Sequence, residues 1–373
     1  MASQFQKLAN DLEKTLGLGG AKTHRFLSNL TKNLGPLLDN LETTIMTTKA
    51  IPFGLMQSMF QATLKQIAKD AGISWEDLKE SGEDIIILLK DWFKPDTFKE
   101  SLYQLSRYYF QGETQGEVDE FGMDPAMVEA LRPFFQFLYY DYWRVDVEGI
   151  ANIPKKGRCL LVANHSGMLP YDGAMLTVAS LNEHPTNRSV RFLIEDFVYH
   201  FPFMGTIMSR LGAVRACPEN ATWLLKKGEA VLVFPEGVKG LGKLYEERYQ
   251  LKRFGRGGFI KLAIKTKTPI IPVAIIGAEE IHPIIWKSNI LAKAMGVPYL
   301  PVTPTFPWLG PLGLIPLPTK WSIQVGKPIS FDKYKSTQAD DGLLVQRLTE
   351  QVRTHIQKMV DKNLKKRKSV WLG

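Results

Sequence analysis

Short apolar runs, each closed by a turn signal, recur through the last two-thirds of the chain: RVDVEG from Arg144, CLLVAN from Cys159, RFLIED from Arg191, AVLVFP from Ala230 and IIPVAII from Ile270. Helix-sized intervals separate them. A strand with one wet face alternates apolar and polar residues, whereas CLLVAN, AVLVFP and IIPVAII are apolar nearly throughout, as in strands buried on both faces. The pattern predicts an α/β fold with a largely parallel central sheet flanked by helices. Pro272 lacks an amide hydrogen and is expected near a strand start or edge. In such sheets ligands bind beyond the carboxyl ends of the strands, so the residues just after CLLVAN, RFLIED and AVLVFP are the ones to inspect for chemistry.

Ahead of this region the periodicity is helical. Phe26, Leu27, Leu30, Leu34, Leu37, Leu38 and Leu41 recur at intervals of three and four, interrupted by Gly35 and Pro36. Ser74 with Asp77 resembles a capping box opening a helix at SWEDLKES. Residues 1–112 are therefore expected to form a helical N-terminal module, 113–129 an acidic linker or loop, and 130–373 the α/β domain. Asp124 and Pro125 suit a helix N-terminus. The helix they open runs into PFFQFLYYDYW, read as a buried docking helix in preference to an interfacial aromatic belt.

Composition narrows the class. Of 373 residues, 45% are hydrophobic and 23% charged, which excludes disorder as a description of the whole chain. Two cysteines, Cys159 and Cys217, supply neither a disulfide framework nor a four-cysteine zinc site. The opening MASQFQKLANDLEKTLG has no signal-peptide apolar core, and a cytosolic protein is expected. Charge is divided unevenly: residues 1–112 hold 13 bases and 13 acids, residues 113–129 six acids, and residues 130–373 have 34 bases against 19 acids, a net of +15. An anionic partner is expected on the last region. Its aromatics cluster with apolar residues rather than interleaving with bases, which argues against nucleic acid.

Candidate chemistry stands at the strand ends. His165 comes directly after CLLVAN, and a histidine there can act as a general base, its tautomer fixed by a carboxylate. Asp172 is seven residues on, about 10 Å of rise if the path were helical, so only a looped path through Gly167 and Pro170 brings it back; the other reading is an N-cap of the helix through AMLTVAS. Arg215 in LGAVRAC and Lys239 in FPEGVKG offer a planar fork and a point charge for phosphate, with Glu236 beside them. Glycines 212, 237 and 240 let backbone amides approach an anion. A serine nucleophile at Ser166 is disfavoured, because no G-x-S-x-G elbow is present.

NHSGMLPYD, GAVRA, FPEGVKG and IPVAI, in this order, resemble the four blocks of the glycerol-phosphate and lysophospholipid acyltransferase superfamily, over about residues 144–332. The resemblance implies His165 as general base and Asp172 as its orienter, both catalytic, and Arg215, Glu236, Gly237 and Lys239 as acceptor-binding residues. It also implies acyl transfer from acyl-CoA or acyl carrier protein to a glycerolipid hydroxyl, with no metal, cofactor or covalent enzyme intermediate; the two bases available for phosphate put lysophosphatidate first as acceptor and glycerol 3-phosphate second. Backbone amides near the first block or the FPEG turn are candidates for stabilising the oxyanion. The chain departs from the family at two places: six residues separate His165 from Asp172 instead of four, and Val238 with Lys239 stand where Thr and Arg are usual. The alternatives are a neutral-glyceride acyltransferase and a lipid-binding protein without turnover.

An acyltransferase must reach lipid. Residues 294–319 carry no charge over 26 positions but contain seven prolines, which rules out a regular membrane helix. This segment is expected to be a buried extended stretch or an apolar surface near lipid. Trp308 and Trp321 with Lys320 and Lys327 suit a headgroup interface, and the NLKKRK run near the C-terminus suits a solvated helix end or contact with anionic lipid. Peripheral membrane association is the expectation.

Overall fold

The computed structural model describes residues 118–200, 204–288, 292, 298–306 and 313–373. The expected helical module at 1–112, with its leucine stripe and capping box, lies outside the described residues, as do positions 113–117 of the acidic segment and Trp308.

The chain enters through α1, Pro125–Phe137, and here the sequence signal is realised atom by atom: Asp124 caps the helix by accepting from the amides of Ala126 and Met127, and Pro125 opens it. A π-helical turn, Leu138–Tyr142, comes next. It rotates the aromatic run inward, so Tyr139, Tyr142 and Trp143 are buried while Tyr140 stays out. Trp143 stacks on Trp321, ring centroids 4.6 Å apart and planes 22° from parallel, worth about 1 kcal/mol beyond burial. Trp321, expected at a headgroup interface, is thus fully buried. It is core.

The strands are β1 Asp146–Glu148, β2 Cys159–Ala163, β3 Val190–Ile194, β4 Val214–Arg215, β5 Ala230–Val233, β6 Ile270–Ile276, β7 Trp286–Ser288, β8 Leu300–Val302 and β9 Ser322–Val325. Seven form one sheet in the order β1-β9-β6-β2-β5-β3-β4, and β7 pairs with β8 apart from it. The strands from β6 to β4 run parallel, whereas β9 is antiparallel to β6 and carries β1 parallel to itself. The fold is therefore α/β with a largely parallel sheet, reversed at one edge.

Helices cover both faces. Leu161 and Ala163 of β2 pack with Met175, Leu176 and Ala179 of α2, Tyr171–Glu183. Leu160 and Val162, on the other face, meet α4, Pro218–Lys226, α6, Gly258–Thr266, and the long C-terminal α7, Gly342–Lys366. Two further helices, α3 at Met204–Arg210 and α5 at Val238–Leu241, lie beyond the strand ends.

Pro272 is the third residue of β6, inside the sheet and not at an edge. The ladder to β9 stops one residue short of it, at Val273 opposite Val325, and resumes at Ile270 opposite Ile329. Residues 271–272 thus face 326–328, a bulge that needs no amide from the proline. Gly326 fits there because a Cβ would stand 2.8 Å from Pro272 Cγ.

The proline-rich segment divides its role. Pro316, Leu317 and Pro318 offer carbonyls to the Tyr142 hydroxyl, the Trp143 indole and the Arg144 guanidinium, while Tyr299, Pro301, Phe306 and Leu314 wall a cavity. In the C-terminal NLKKRK run, Arg367 is buried against Glu280 at 2.5 Å instead of solvated. Burial opposes its charge, but Tyr249 and Glu280 outweigh that and raise its pKa. Among the described residues no helix is long and apolar enough to cross a membrane.

Candidate active site

The site begins where β2 ends. Asn164 continues the ladder with its side chain, donating from Nδ2 to the Ile275 carbonyl at 2.9 Å and accepting at Oδ1 from the Ile275 amide at 2.8 Å. That pair of hydrogen bonds pins the strand end to β6, so His165 leaves the sheet from a fixed point. Gly167, at φ 82, then turns the chain in a conformation that favours glycine.

The turn closes the interval to Asp172. The His165 Nδ1 and Asp172 Oδ2 are 2.6 Å apart, and the Asp172 side chain is fully buried. Asp172 Oδ2 also accepts from the Ser166 amide at 3.0 Å, and Oδ1 from the Gly173 amide at 2.8 Å. A carboxylate can only accept, so the proton of the neutral ring sits on Nδ1 and Nε2 carries the lone pair. The N-cap of α2 is Pro170, which leaves Asp172 in the first turn with its carboxylate turned back on the histidine. The imidazole is further held by Phe234 at the end of β5, their centroids 4.2 Å apart and planes 20° from parallel.

Glu236 serves the same histidine from its main-chain side. Its carboxylate is fully buried, Oε1 accepting from the His165 amide at 2.9 Å and Oε2 from the Lys252 amide at 2.6 Å. Lys243 Nζ stands 3.3 Å from Glu236 Oε2 and 2.8 Å from Glu279 Oε1, and Glu279 Oε2 accepts from the Tyr249 amide. Burial works to lower the Lys243 pKa, but Glu279 and Glu236 outweigh it and hold it above the ordinary lysine value. Burial pushes Glu279 up to about 7 despite the lysine. None of this anionic core faces the cavity. Glu236, expected at the acceptor, is absent from the cavity lining and touches the site at the His165 amide.

Two glycines make the packing possible. Gly237 has φ 56 and ψ −149, a region essentially restricted to glycine, and a Cβ there would lie 2.5 Å from Glu195 Oε1. A Cβ on Gly240 would come within 2.8 Å of both His165 Cβ and Glu236 Cβ. The amides of Ser166 and Gly237 are bonded within the protein, the latter to the Phe234 carbonyl.

His165, Phe234 and Gly237 line a cavity of about 840 Å³ over the carboxyl ends of β2, β3, β4 and β5. Its walls are mostly apolar, Met168, Leu169, Phe192, Val198 and Met204 among them. Arg215 and Lys239 are not in its lining. Arg215, largely exposed, holds Asp196 in a fork, Nε to Oδ1 at 2.6 Å and Nη2 to Oδ2 at 2.8 Å. Lys239 projects from α5 into solvent. The bases that do line the cavity are Arg256, Lys261 and Lys265, which the motif spacing did not single out. The visible signal for them was the FGRGGF turn before an amphipathic helix. Among the described residues no His, Cys, Asp and Glu group is arranged to hold a metal ion.

The crystal structure of a 1-acyl-sn-glycerophosphate acyltransferase from Thermotoga maritima matches with a TM-score of 0.44 at 20% identity, covering 74% of this chain and 98% of that one. An uncharacterized protein of Mycobacterium tuberculosis is 48% identical over 257 residues, 69% of this chain and 72% of the relative. A chloroplastic 1-acyl-sn-glycerol-3-phosphate acyltransferase of Brassica napus is 28% identical over 155 residues, 39% of this chain and 40% of its own. Residues 144–276, which contain all four sequence blocks and the His165–Asp172 pair, match the family model described as Acyltransferase. With its blocks in order and its histidine held by the buried aspartate, the chain belongs to the glycerol-phosphate and lysophospholipid acyltransferase superfamily.

Proposed function

We propose that this acyltransferase moves a fatty acyl group from a thioester donor, acyl-CoA or acyl carrier protein, to a hydroxyl of a glycerolipid, with lysophosphatidate the favoured acceptor. The observation that carries the reading is the 2.6 Å His165–Asp172 pair at an apolar cavity large enough for a lipid chain. His165 Nε2 takes the acceptor hydroxyl proton as that oxygen attacks the thioester carbonyl. Asp172 stabilises the imidazolium that forms. Collapse of the tetrahedral intermediate breaks the carbon–sulfur bond, and the proton passes from Nε2 to the leaving thiolate. The reaction needs no resident cofactor.

The acceptor phosphate is assigned to the rim of the site, where Arg215 exchanges Asp196 for it and Lys239 adds a mobile charge. A neutral-glyceride acceptor is the second reading, favoured by the Arg215 fork already being filled by Asp196. The protein is proposed to work in phospholipid synthesis at the cytoplasmic surface of a membrane, its +15 region facing anionic headgroups.

The test is acyl transfer from long-chain acyl-CoA and acyl carrier protein to lysophosphatidate, glycerol 3-phosphate, other lysophospholipids, monoacylglycerol and diacylglycerol. Activity that folded His165→Ala loses supports the mechanism, and the preferred acceptor decides between the two readings. Lipid binding with no turnover on any pair would leave a lipid-binding protein instead.

A further inference from the structure

Both substrates of the proposed reaction are anionic, and both must bring a reacting atom to His165. A charged group drawn to an apolar cavity needs a partner there, because an unpaired one loses its hydration without return. Among the described lining residues the one acid is Glu195, set against Gly237, and the bases besides His165 are Arg256, Lys261 and Lys265.

These three bases come from one stretch of chain. Arg256 occupies the turn between Gly255 and Gly257, at φ 36 and 74. Gly257 is wedged against α7: a Cβ would stand 2.5 Å from Thr349 Oγ1 and 2.6 Å from Val345 Cγ1. The turn is therefore held from behind, which fixes the point from which the Arg256 side chain leaves. Lys261 and Lys265 lie beyond it on α6, one turn apart, and share a face. Lys265 is already balanced by Asp340, at 3.1 Å. Arg256 and Lys261 have no carboxylate partner among the described residues, so their charge is available to a ligand.

We infer that Arg256 and Lys261 form an anion subsite of the cavity, which holds a phosphate group of a substrate while its acyl chain lies along the apolar wall toward His165. The inference deepens the acyl-transfer reading and rests on it for the identity of the ligand. Arginine supplies a bidentate fork and lysine a point charge, the pair suited to a phosphate. The subsite spans the turn at Arg256 and the first part of α6, apart from Arg215 at the end of β4, so the site offers two separate places for phosphate. With the acceptor phosphate placed at Arg215, the expected source is the coenzyme A part of the donor; loss confined to lysophosphatidate would instead move the acceptor phosphate from Arg215 to this subsite.

Direct binding tells these apart without relying on turnover. Calorimetric titration of the full chain with coenzyme A, and separately with a short-chain lysophosphatidate below its micellar concentration, is compared between wild type and Arg256→Ala/Lys261→Ala. Circular dichroism checks the fold. Loss of about 10- to 100-fold in affinity for one ligand is expected, and which ligand names the source. A short-chain monoacylglycerol, lacking phosphate, is expected to bind both proteins equally. Affinities for coenzyme A and lysophosphatidate within about twofold of wild type would overturn the subsite, as would equal loss for the phosphate-free lipid. His165→Ala is expected to abolish transfer and keep binding. Phosphate-dependent binding in a protein with no transfer activity would sink the functional reading and leave the subsite standing.

Discussion

The backbone amide of His165 donates to Glu236 Oε1 at 2.9 Å, so the acid of the FPEG turn touches the histidine through its main chain. Glu236→Gln keeps an acceptor for that amide but presents an NH₂ to the Lys252 amide and strips a charge from Lys243. A displaced histidine slows the chemical step, and misplacement near 1 Å is worth about 100-fold. The expected result is kcat lower by roughly 10- to 100-fold with acceptor KM changed by less than about threefold. A KM effect with unchanged kcat would instead make Glu236 an acceptor ligand.

Asp172 accepts three hydrogen bonds, from His165 Nδ1, Ser166 N and Gly173 N. An asparagine has one oxygen for those three donors, and its NH₂ must face at least one of them. Asp172→Asn is expected to lower kcat by about 100-fold or more while lipid binding persists. Steady-state rates beside lipid titration check this; full activity would mean that the ring needs no orienting carboxylate.

These two residues show what the sequence made legible. CLLVAN marked a strand that ends at a histidine, and apolar runs located β2, β3, β5 and β6 because strands buried on both faces leave no polar alternation, whereas β1 was marked by alternation, Val147 standing between exposed Asp146 and Glu148. The return of Asp172 to His165 depends on Gly167 at positive φ, which residue spacing permits but does not impose. The reversed edge made by β9 was hidden because SIQV is short and comes after a proline-rich segment. Glu236 was legible as an acid at a strand end but not as a buried one, because its contacts, Lys243 and Lys252, lie 7 and 16 residues away and meet it only in the fold. Trp321 misled in the same way: a tryptophan between lysine and serine reads as interfacial until Trp143 covers it.

Gly240 lies beneath the histidine. A methyl group added there would meet His165 Cβ and Glu236 Cβ, each at 2.8 Å, and neither belongs to a flexible side-chain tip. Gly240→Ala is expected to destabilise the fold by about 1–3 kcal/mol and to reduce kcat, with Gly240→Ser worse. Thermal unfolding together with kcat measures both; a variant of wild-type rate and stability would show that α5 shifts freely.

Asp196 and a phosphate compete for one guanidinium. Both partners of the Arg215–Asp196 fork are largely exposed, so the pair is weak and readily exchanged. Asp196→Ala is expected to lower KM for lysophosphatidate about two- to fivefold, and Arg215→Ala to raise it, with monoacylglycerol unaffected by either. Parallel kinetics on the two acceptors decide it. Equal effects on both would remove Arg215 from phosphate recognition.

Glu279 gives stability a defined pH dependence. Burial raises its folded-state pKa from 4.5 to about 7, Lys243 opposing the shift and Glu236 adding to it. Between those values the folded protein binds a proton that the unfolded chain has released, so stability falls as pH rises. The contribution is fully present below about 4.5 and is lost on passing through about 7. Glu279→Gln removes this linkage, so wild type is expected to gain relative to the variant on going from pH 8 to pH 5. Urea midpoints for both proteins at pH 5, 6, 7 and 8 measure the difference. A constant gap from pH 5 to pH 8 would mean that the Glu279 carboxylate is ionised in the fold throughout that range, Lys243 offsetting its burial.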